Sequence, residues 1–249
     1  MPSLTTDNAK NIINAGQLAG FQPHIGCIAH TINLATQRGL KVPQLDRLLG
    51  RILRVVTYFH KSNIAMAILN TKQTLLELPH HKLIMDVSTR WNSTFDMLER
   101  FLEQQPAIEA TLLSKDLKKN FKDVYTMSED DISTASRVME VLKPIKKVTT
   151  ILCAEKSPTV SLIHPLKEML LQQLRVIQDD DGNVVTAAKE AMIKDLEQRY
   201  TDHTMKLFLH ESSCIDPRFK AMPYLDDAAK EEVYNPWHRK LNKLSKRFR

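Results

Sequence analysis

The sequence predicts a mainly α-helical fold with two short strands near its N-terminus. Three observations predict it. Apolar residues recur at i, i+3, i+4 and i+7 along most of the chain, the spacing of a helix buried on one face. The connectors between these runs are short and polar. With 6 glycines and 6% aromatic residues in 249, the composition is not that of a turn-rich all-β protein.

Each element has its own warrant. Residues 6–17, TDNAKNIINAGQ, begin polar and turn helical, with Asp7 or Asn8 as the cap and Ile12, Ile13 and Ala15 as a short apolar face. An Asp in this place caps the helix, or it is a metal-binding carboxylate at the end of a strand. In residues 22–40, QPHIGCIAHTINLATQRGL, His24 to Gly26 read as a short strand. Cys27 and His30 follow at i and i+3, on one helical face. Together they could supply two zinc ligands, but no second pair with finger spacing follows, so packing is the expectation and no metal is assigned. Gly39 signals a helix end at Leu40.

Residues 41–61 carry the clearest helix. Pro43 suits its first turn. Leu45, Leu48, Leu49, Ile52, Val55, Val56 and Phe59 form its apolar face. Arg47, Arg51, Arg54, Tyr58 and Lys61 fall on the opposite face within about 80°, at about 100° per residue. A basic stripe with an aromatic residue in it can track phosphates; it can equally be a solvated face. Residues 63–77 form another helix, and residues 82–87, KLIMDV, read as a lone strand.

Residues 86–102, DVSTRWNSTFDMLERFL, place Arg90, Trp91, Asn92, Ser93 and Thr94 just before an apolar helix. Ser93 is the expected cap, with Asp96 completing a capping box. Phe95, Leu98, Phe101 and Leu102 form the buried face. Trp91 beside Arg90 is either an exposed platform for an unpaired base or a core residue. Residues 106–114 and 116–125 read as short helices. Ser128, followed by Glu129, Asp130 and Asp131, caps the next. Residues 132–153 form a long helix that Pro144 should kink or split. Ser157-Pro158-Thr159 start a helix that Pro165 should bend. Residues 179–183, DDDGN, are a turn without the spaced ligands of a calcium loop. Residues 184–200 are helical, and residues 214–220, CIDPRFK, are a compact turn.

Charge and cysteines narrow the class. The formal net charge is +6, and the last twelve residues, HRKLNKLSKRFR, hold six basic residues and no acid. The body is therefore formally neutral, and the pI near 9.1 describes the tail. Such a tail binds phosphates or an importin, or is a solvated end. Cys27, Cys153 and Cys214 are too few and too scattered for a disulfide framework and suit a reducing compartment. No apolar run approaches a membrane-spanning length, and the N-terminus lacks a signal-peptide core.

The motifs also carry a resemblance. Thr6-Asp7-Asn8-Ala9 with Asn11, then Cys27-Ile28-Ala29-His30 with Asn33-Leu34, resemble the core of hAT-superfamily transposases. Arg90-Trp91-Asn92-Ser93-Thr94 matches the next block; Ser157-Pro158-Thr159-Val160-Ser161 and Asp216-Pro217-Arg218-Phe219-Lys220 match later ones. Five blocks in order, over roughly residues 5–220, are specific where any one alone is weak. The chain most resembles the BED-type zinc-finger proteins derived from such transposases.

The resemblance implies an RNase H-like core interrupted by a large helical insertion. Residues 1–40 would be a partial RNase H-like core, 41–232 the helical insertion region and 233–249 a disordered basic tail. The N-terminal forty residues, part of a sheet without its neighbours, would be poorly ordered. It implies a catalytic set of two Asp and one Glu around two divalent metals, with Asp7 at the second Asp. Cys27 and His30 fall on a structural motif of the family, and Trp91 on a Trp that stacks on a flipped base. No BED finger, first Asp, catalytic Glu or dimerisation block is matched, and one Asp cannot build a two-metal site. The divalent metals and the finger zinc thus belong to full-length relatives, and no cofactor is expected here. The implied function is a catalytically inactive nuclear protein, DNA-binding or transcription-related, its candidate contacts Trp91, Arg90, Arg47, Arg51 and Arg54. A helical protein-interaction scaffold is the alternative. A subunit completing a metal-dependent nuclease with a full-length transposase-like partner is the third. No membrane association is expected.

Overall fold

The computed structural model describes residues 4–7, 9–21, 23–87, 90–115, 117, 126–153 and 160–235. The predicted helix over 116–125, the Ser157-Pro158-Thr159 helix start and the basic tail beyond residue 235 fall largely or wholly outside the described residues. Helices dominate, as predicted, and the two strands among the described residues are β1 (Leu4–Thr6) and β2 (His24–Gly26). The chain forms two compact units, each assembled from separated stretches: Met1–Ile32 with Val148–Val176 and Ile193–Arg249, and Asn33–Lys147 with Ile177–Met192. These units do not follow a linear division at residue 40.

In the first unit β1 and β2 pair in parallel, Leu4 opposite His24 and Thr6 opposite Gly26. A parallel pair needs a crossover, and α1 (Lys10–Leu18) provides it. Its N-cap is Ala9 without a side-chain cap bond, so Asp7 is not the side-chain cap; Asn8 lies outside the described residues. Gly16 lets α1 sit close to the sheet: a Cβ there would lie 2.7 Å from a Leu4 methyl carbon. Distant sequence holds β2 in place. Tyr200, at φ 56°, donates its hydroxyl to the Gly26 carbonyl at 2.5 Å and sits 3.3 Å from the Thr31 hydroxyl. The N-terminal fragment is therefore anchored by residue 200. In the same unit α7 (Val160–Arg175) packs along α9 (His203–Ile215). Ser213 donates to the Ser161 carbonyl at 2.9 Å, and Ser161 donates to Asp216 at 2.7 Å. Arg218 clamps the same carboxylate from its backbone N–H at 3.0 Å and its guanidinium at 2.7 Å. Those bonds make the predicted CIDPRFK turn rigid and hold the Asp216 carboxyl well below the usual carboxylate range, the Arg218 hydrogen bonds outweighing burial. A last helix, α10, covers residues 227–235.

The second unit is built on α3 (Pro43–Lys61), which buries all seven predicted apolar residues from Leu45 to Phe59. Each such side chain contributes roughly 1.5–3 kcal/mol. Ser62 caps α4 (Asn63–Leu75) by accepting from the Ala65 N–H at 3.1 Å. α5 runs unbroken over Trp91–Leu112 with Pro106 inside it. The proline does not start a separate helix, because Phe101, Gln104, Ala107 and Ile108 pin the same face on both sides of it. Between α4 and α5, Gln73 donates to Gln104 at 2.8 Å with both side chains fully buried.

The predicted lone strand over 82–87 is absent. Its carbonyls are taken by side chains instead: His60 Nε2 lies 2.8 Å from the Leu83 carbonyl, and Arg100 donates to the Lys82 carbonyl at 2.9 Å. Leu83 is buried beneath this strap. α2 (Ile28–Leu40) ends at Leu40, where Gly39 signals its end. α6 (Glu129–Leu152) and α7 are continuous through Pro144 and Pro165. Ser128 does cap α6, reciprocally: its hydroxyl accepts from the Asp131 N–H at 3.1 Å while Asp131 accepts from the Ser128 N–H at 2.9 Å.

The DDDGN turn leading into α8 (Asn183–Glu197) holds a buried charge cluster. Asp181, with no exposed side-chain surface, accepts from Arg137 at 2.8 Å, from Lys189 and from the Gln178 N–H at 3.1 Å. Burial pushes its carboxyl up, but the Lys189 and Arg137 bonds prevail and bring it to about 2. Asp180 also pairs with Arg137, at 3.1 Å, so the acids of this turn are engaged by cations of the same unit.

Candidate nucleic-acid interface

On α3, Arg47, Arg54 and Lys61 are exposed and recur at seven-residue spacing. At 1.5 Å rise per residue they stand about 10.5 Å apart on one face. Arg51 lies between them and is engaged elsewhere. It donates through Nη1 to Asp131 at 2.9 Å and through Nη2 to the Thr126 carbonyl at 3.0 Å. Tyr58 is half-buried and meets Phe59 edge-on, ring centres 5.6 Å apart. The expected five-membered stripe is thus an open row of three cations with one arginine diverted to the cap of α6. Sequence reasoning singled out Ser128 and Asp131 as a helix start but not as the partner of Arg51; no local pattern joins residues eighty apart.

Trp91 is 2% exposed, so it is not an exposed stacking platform. It opens α5 as expected, but as its first buried anchor, and its N–H lies 3.3 Å from Asn33 Oδ1. Ser93 is not the cap, which is Arg90. The Ser93 hydroxyl instead reaches Asp86 at 2.6 Å and accepts the Val87 N–H at 2.8 Å, while Thr94 donates to Asp86 at 3.0 Å. This RWNST block is a knot that fixes the entry to α5. Arg90 remains exposed at its edge.

Asp7 is exposed and directly follows β1. Its carbonyl accepts the Thr6 hydroxyl at 2.8 Å and the Ala9 N–H at 2.7 Å. Cys27 is the hinge from β2 into α2: its N–H continues the strand pairing to the Thr6 carbonyl at 2.8 Å, and its carbonyl receives the Thr31 N–H at 3.0 Å. His30 lies half-buried in the first turn of α2. Among the described residues, no three His, Cys, Asp or Glu side chains gather as metal ligands. No helix among them is long and apolar enough to cross a membrane.

The described residues form a mainly α fold with one parallel β-α-β fragment, in keeping with an RNase-like helical domain. Residues 25–141 match the ZBED1 RNase-like helical domain. Over 232 residues the chain is 27% identical to the human zinc finger BED domain-containing protein 4, covering 91% of this chain and 18% of that protein. Over these stretches the chain is similar to zinc finger BED domain-containing proteins. It spans about a fifth of the length of that relative.

Proposed function

We propose that this chain is a catalytically inactive, transposase-derived nuclear protein that binds DNA through the exposed face of α3. One observation carries the reading: Arg47, Arg54 and Lys61 form an open cationic row on a helix whose other face is anchored in the core. Long cations held at fixed spacing bind phosphates with little loss of backbone entropy. The family relation points the same way, since its zinc finger BED relative carries a finger module in its name.

The test is fluorescence anisotropy of the purified chain with duplex DNA across a salt series. Replacing Arg47 and Arg54 with Ala removes two phosphate contacts and should reduce the log–log salt slope by about 2. An unchanged slope would assign the binding to the basic tail. Absence of any salt-dependent affinity would leave the helical body as a protein-interaction scaffold. Metal-dependent nicking abolished by Asp7→Asn would restore the nuclease reading.

A further inference from the structure

A cleft of about 710 Å³ opens in the first unit between the β-α-β fragment and the connection from α8 to α9. Ile13, Phe21, Pro23 and Met205 supply apolar lining, and Tyr200 a second aromatic ring. Tyr200 enters from a left-handed backbone, φ 56°, with its hydroxyl spent on the Gly26 carbonyl, so the ring is held in place. The polar lining, by contrast, is unspent. Thr6 donates its hydroxyl proton to the Asp7 carbonyl at 2.8 Å, so the proton in its 2.6 Å bond to His24 comes from Nε2. In the neutral ring Nδ1 is then a bare acceptor. Arg199 gives Nε and Nη2 to Asp195, at 3.1 and 3.2 Å, and keeps Nη1. Gln17, Thr201 and Thr204 are exposed, and among the described residues their side chains have no hydrogen-bond partner. The charges are compensated: Arg199 faces Asp195, and Asp202, the N-cap of α9, accepts the Met205 N–H at 2.9 Å.

We propose that this cleft binds a nucleobase, presented by a free nucleoside or by an unpaired nucleotide of a strand. A lining without uncompensated charge selects neither a phosphate nor a metal cation. Aromatic and apolar surface beside free donors and acceptors selects a neutral, planar heterocycle. The volume lies within the roughly 300–1,000 Å³ of small-molecule sites. Phe21 and Tyr200 offer surface for the face of a base, a contact that every base can make. The Gln17 amide, acceptor and donor at once, and His24 Nδ1 suit the mixed edge of a base. Thr201 and Thr204, at the exposed rim, suit the sugar hydroxyls, and the phosphates of a strand stay outside in solvent. The site does not rest on the cationic row of α3: a nucleoside carries no phosphate, so its binding should be insensitive to salt.

The experiment uses the full chain with labelled isoleucine and methionine methyl groups, followed by nuclear magnetic resonance. Adenosine, guanosine, cytidine and thymidine are titrated separately, then a short thymidine oligonucleotide. At least one nucleoside should shift the Ile13 and Met205 methyls saturably, with the same affinity at low and high salt, and leave Ile64, exposed on α4, unmoved. Gln17→Ala, at an exposed position, should keep the thermal midpoint and weaken binding about three- to tenfold, the scale of one hydrogen bond. Phe21→Leu should weaken it at least about fivefold, the scale of a lost stacking contact; where it also lowers the midpoint, Gln17→Ala decides. An oligonucleotide that binds more tightly than thymidine at the same two methyls assigns the base to a strand, and equal affinity assigns it to a free nucleoside. No saturable shift at Ile13 or Met205 with any nucleoside, or shifts that both variants leave unchanged, would overturn the site. Loss of salt-dependent duplex binding with nucleoside binding intact would count against α3 alone.

Discussion

Arg51 and Asp131, eighty residues apart, are joined by a bidentate ion pair at 2.9 Å that removes Arg51 from the basic face of α3. Asp131 is also the reciprocal cap partner of Ser128, so one carboxylate restrains both a helix start and a candidate phosphate ligand. Burial raises its carboxyl, but the Ser128 and Arg51 bonds outweigh this and hold it below its ordinary value.

Asp131→Asn should release Arg51 while keeping a side-chain acceptor at the cap. The expected cost is about 1 kcal/mol in urea unfolding, the scale of a weakened cap. The salt dependence of DNA binding should steepen by up to about 0.9, the contribution of one recovered phosphate contact. A stability loss with an unchanged slope would show that Arg51 gains no phosphate.

Trp91 is expected to act through folding. Its 2% exposure predicts that Trp91→Ala costs about 3–5 kcal/mol, with a smaller cost for Trp91→Phe. Single-strand affinity per folded molecule should match the parent in both variants. Titrating the Phe variant with labelled single-stranded DNA separates the roles; a large affinity loss at near-parental stability would make Trp91 a base contact.

The α3 core, the β2 strand and the Ser128 cap were legible in the sequence because each depends on neighbours within one or two turns. Trp91 was ambiguous because an Arg-Trp pair at a helix mouth has the same local pattern whether buried or exposed. The 82–87 segment misled because a short apolar run matches a strand, whereas its Leu83 and Lys82 carbonyls are satisfied by His60 and Arg100 from other elements. Gly39 marked the end of α2 at Leu40 correctly. What its local pattern could not show is the close approach of Met192 and Ala188 on α8, some 150 residues away.

Gly39 therefore makes its own prediction. A Cβ there would lie 2.6 Å from Met192 Cγ and 2.8 Å from the Ala188 carbonyl oxygen. The methionine can turn aside, but the backbone oxygen cannot without separating α2 from α8. Ala in a helix gains up to about 1 kcal/mol over Gly. Overpacking costs about 1–3 kcal/mol and should win, so Gly39→Ala lowers the urea midpoint. A raised midpoint would show that the two helices can move apart freely.

The Asp181 cluster predicts a dependence on acid. Its folded carboxyl lies near 2, below the ordinary 3.8, so the charged form is favoured by folding. For a depressed carboxylate the stabilisation is present above its unfolded value and is lost as pH falls from about 4 through 2. The linked contribution is about 2 kcal/mol. At neutral pH Asp181→Asn should lower stability, because the buried carboxylate that Arg137 and Lys189 share is then neutral, with Asp180 still facing Arg137 at 3.1 Å. Urea unfolding of parent and variant between pH 2 and 7 measures both effects. The gap between the two curves should close by about 2 kcal/mol toward pH 2, isolating Asp181 from the other carboxylates that titrate there. A gap that stays constant would mean that Asp181 is no more acidic folded than unfolded, and that the two cations are held by packing alone.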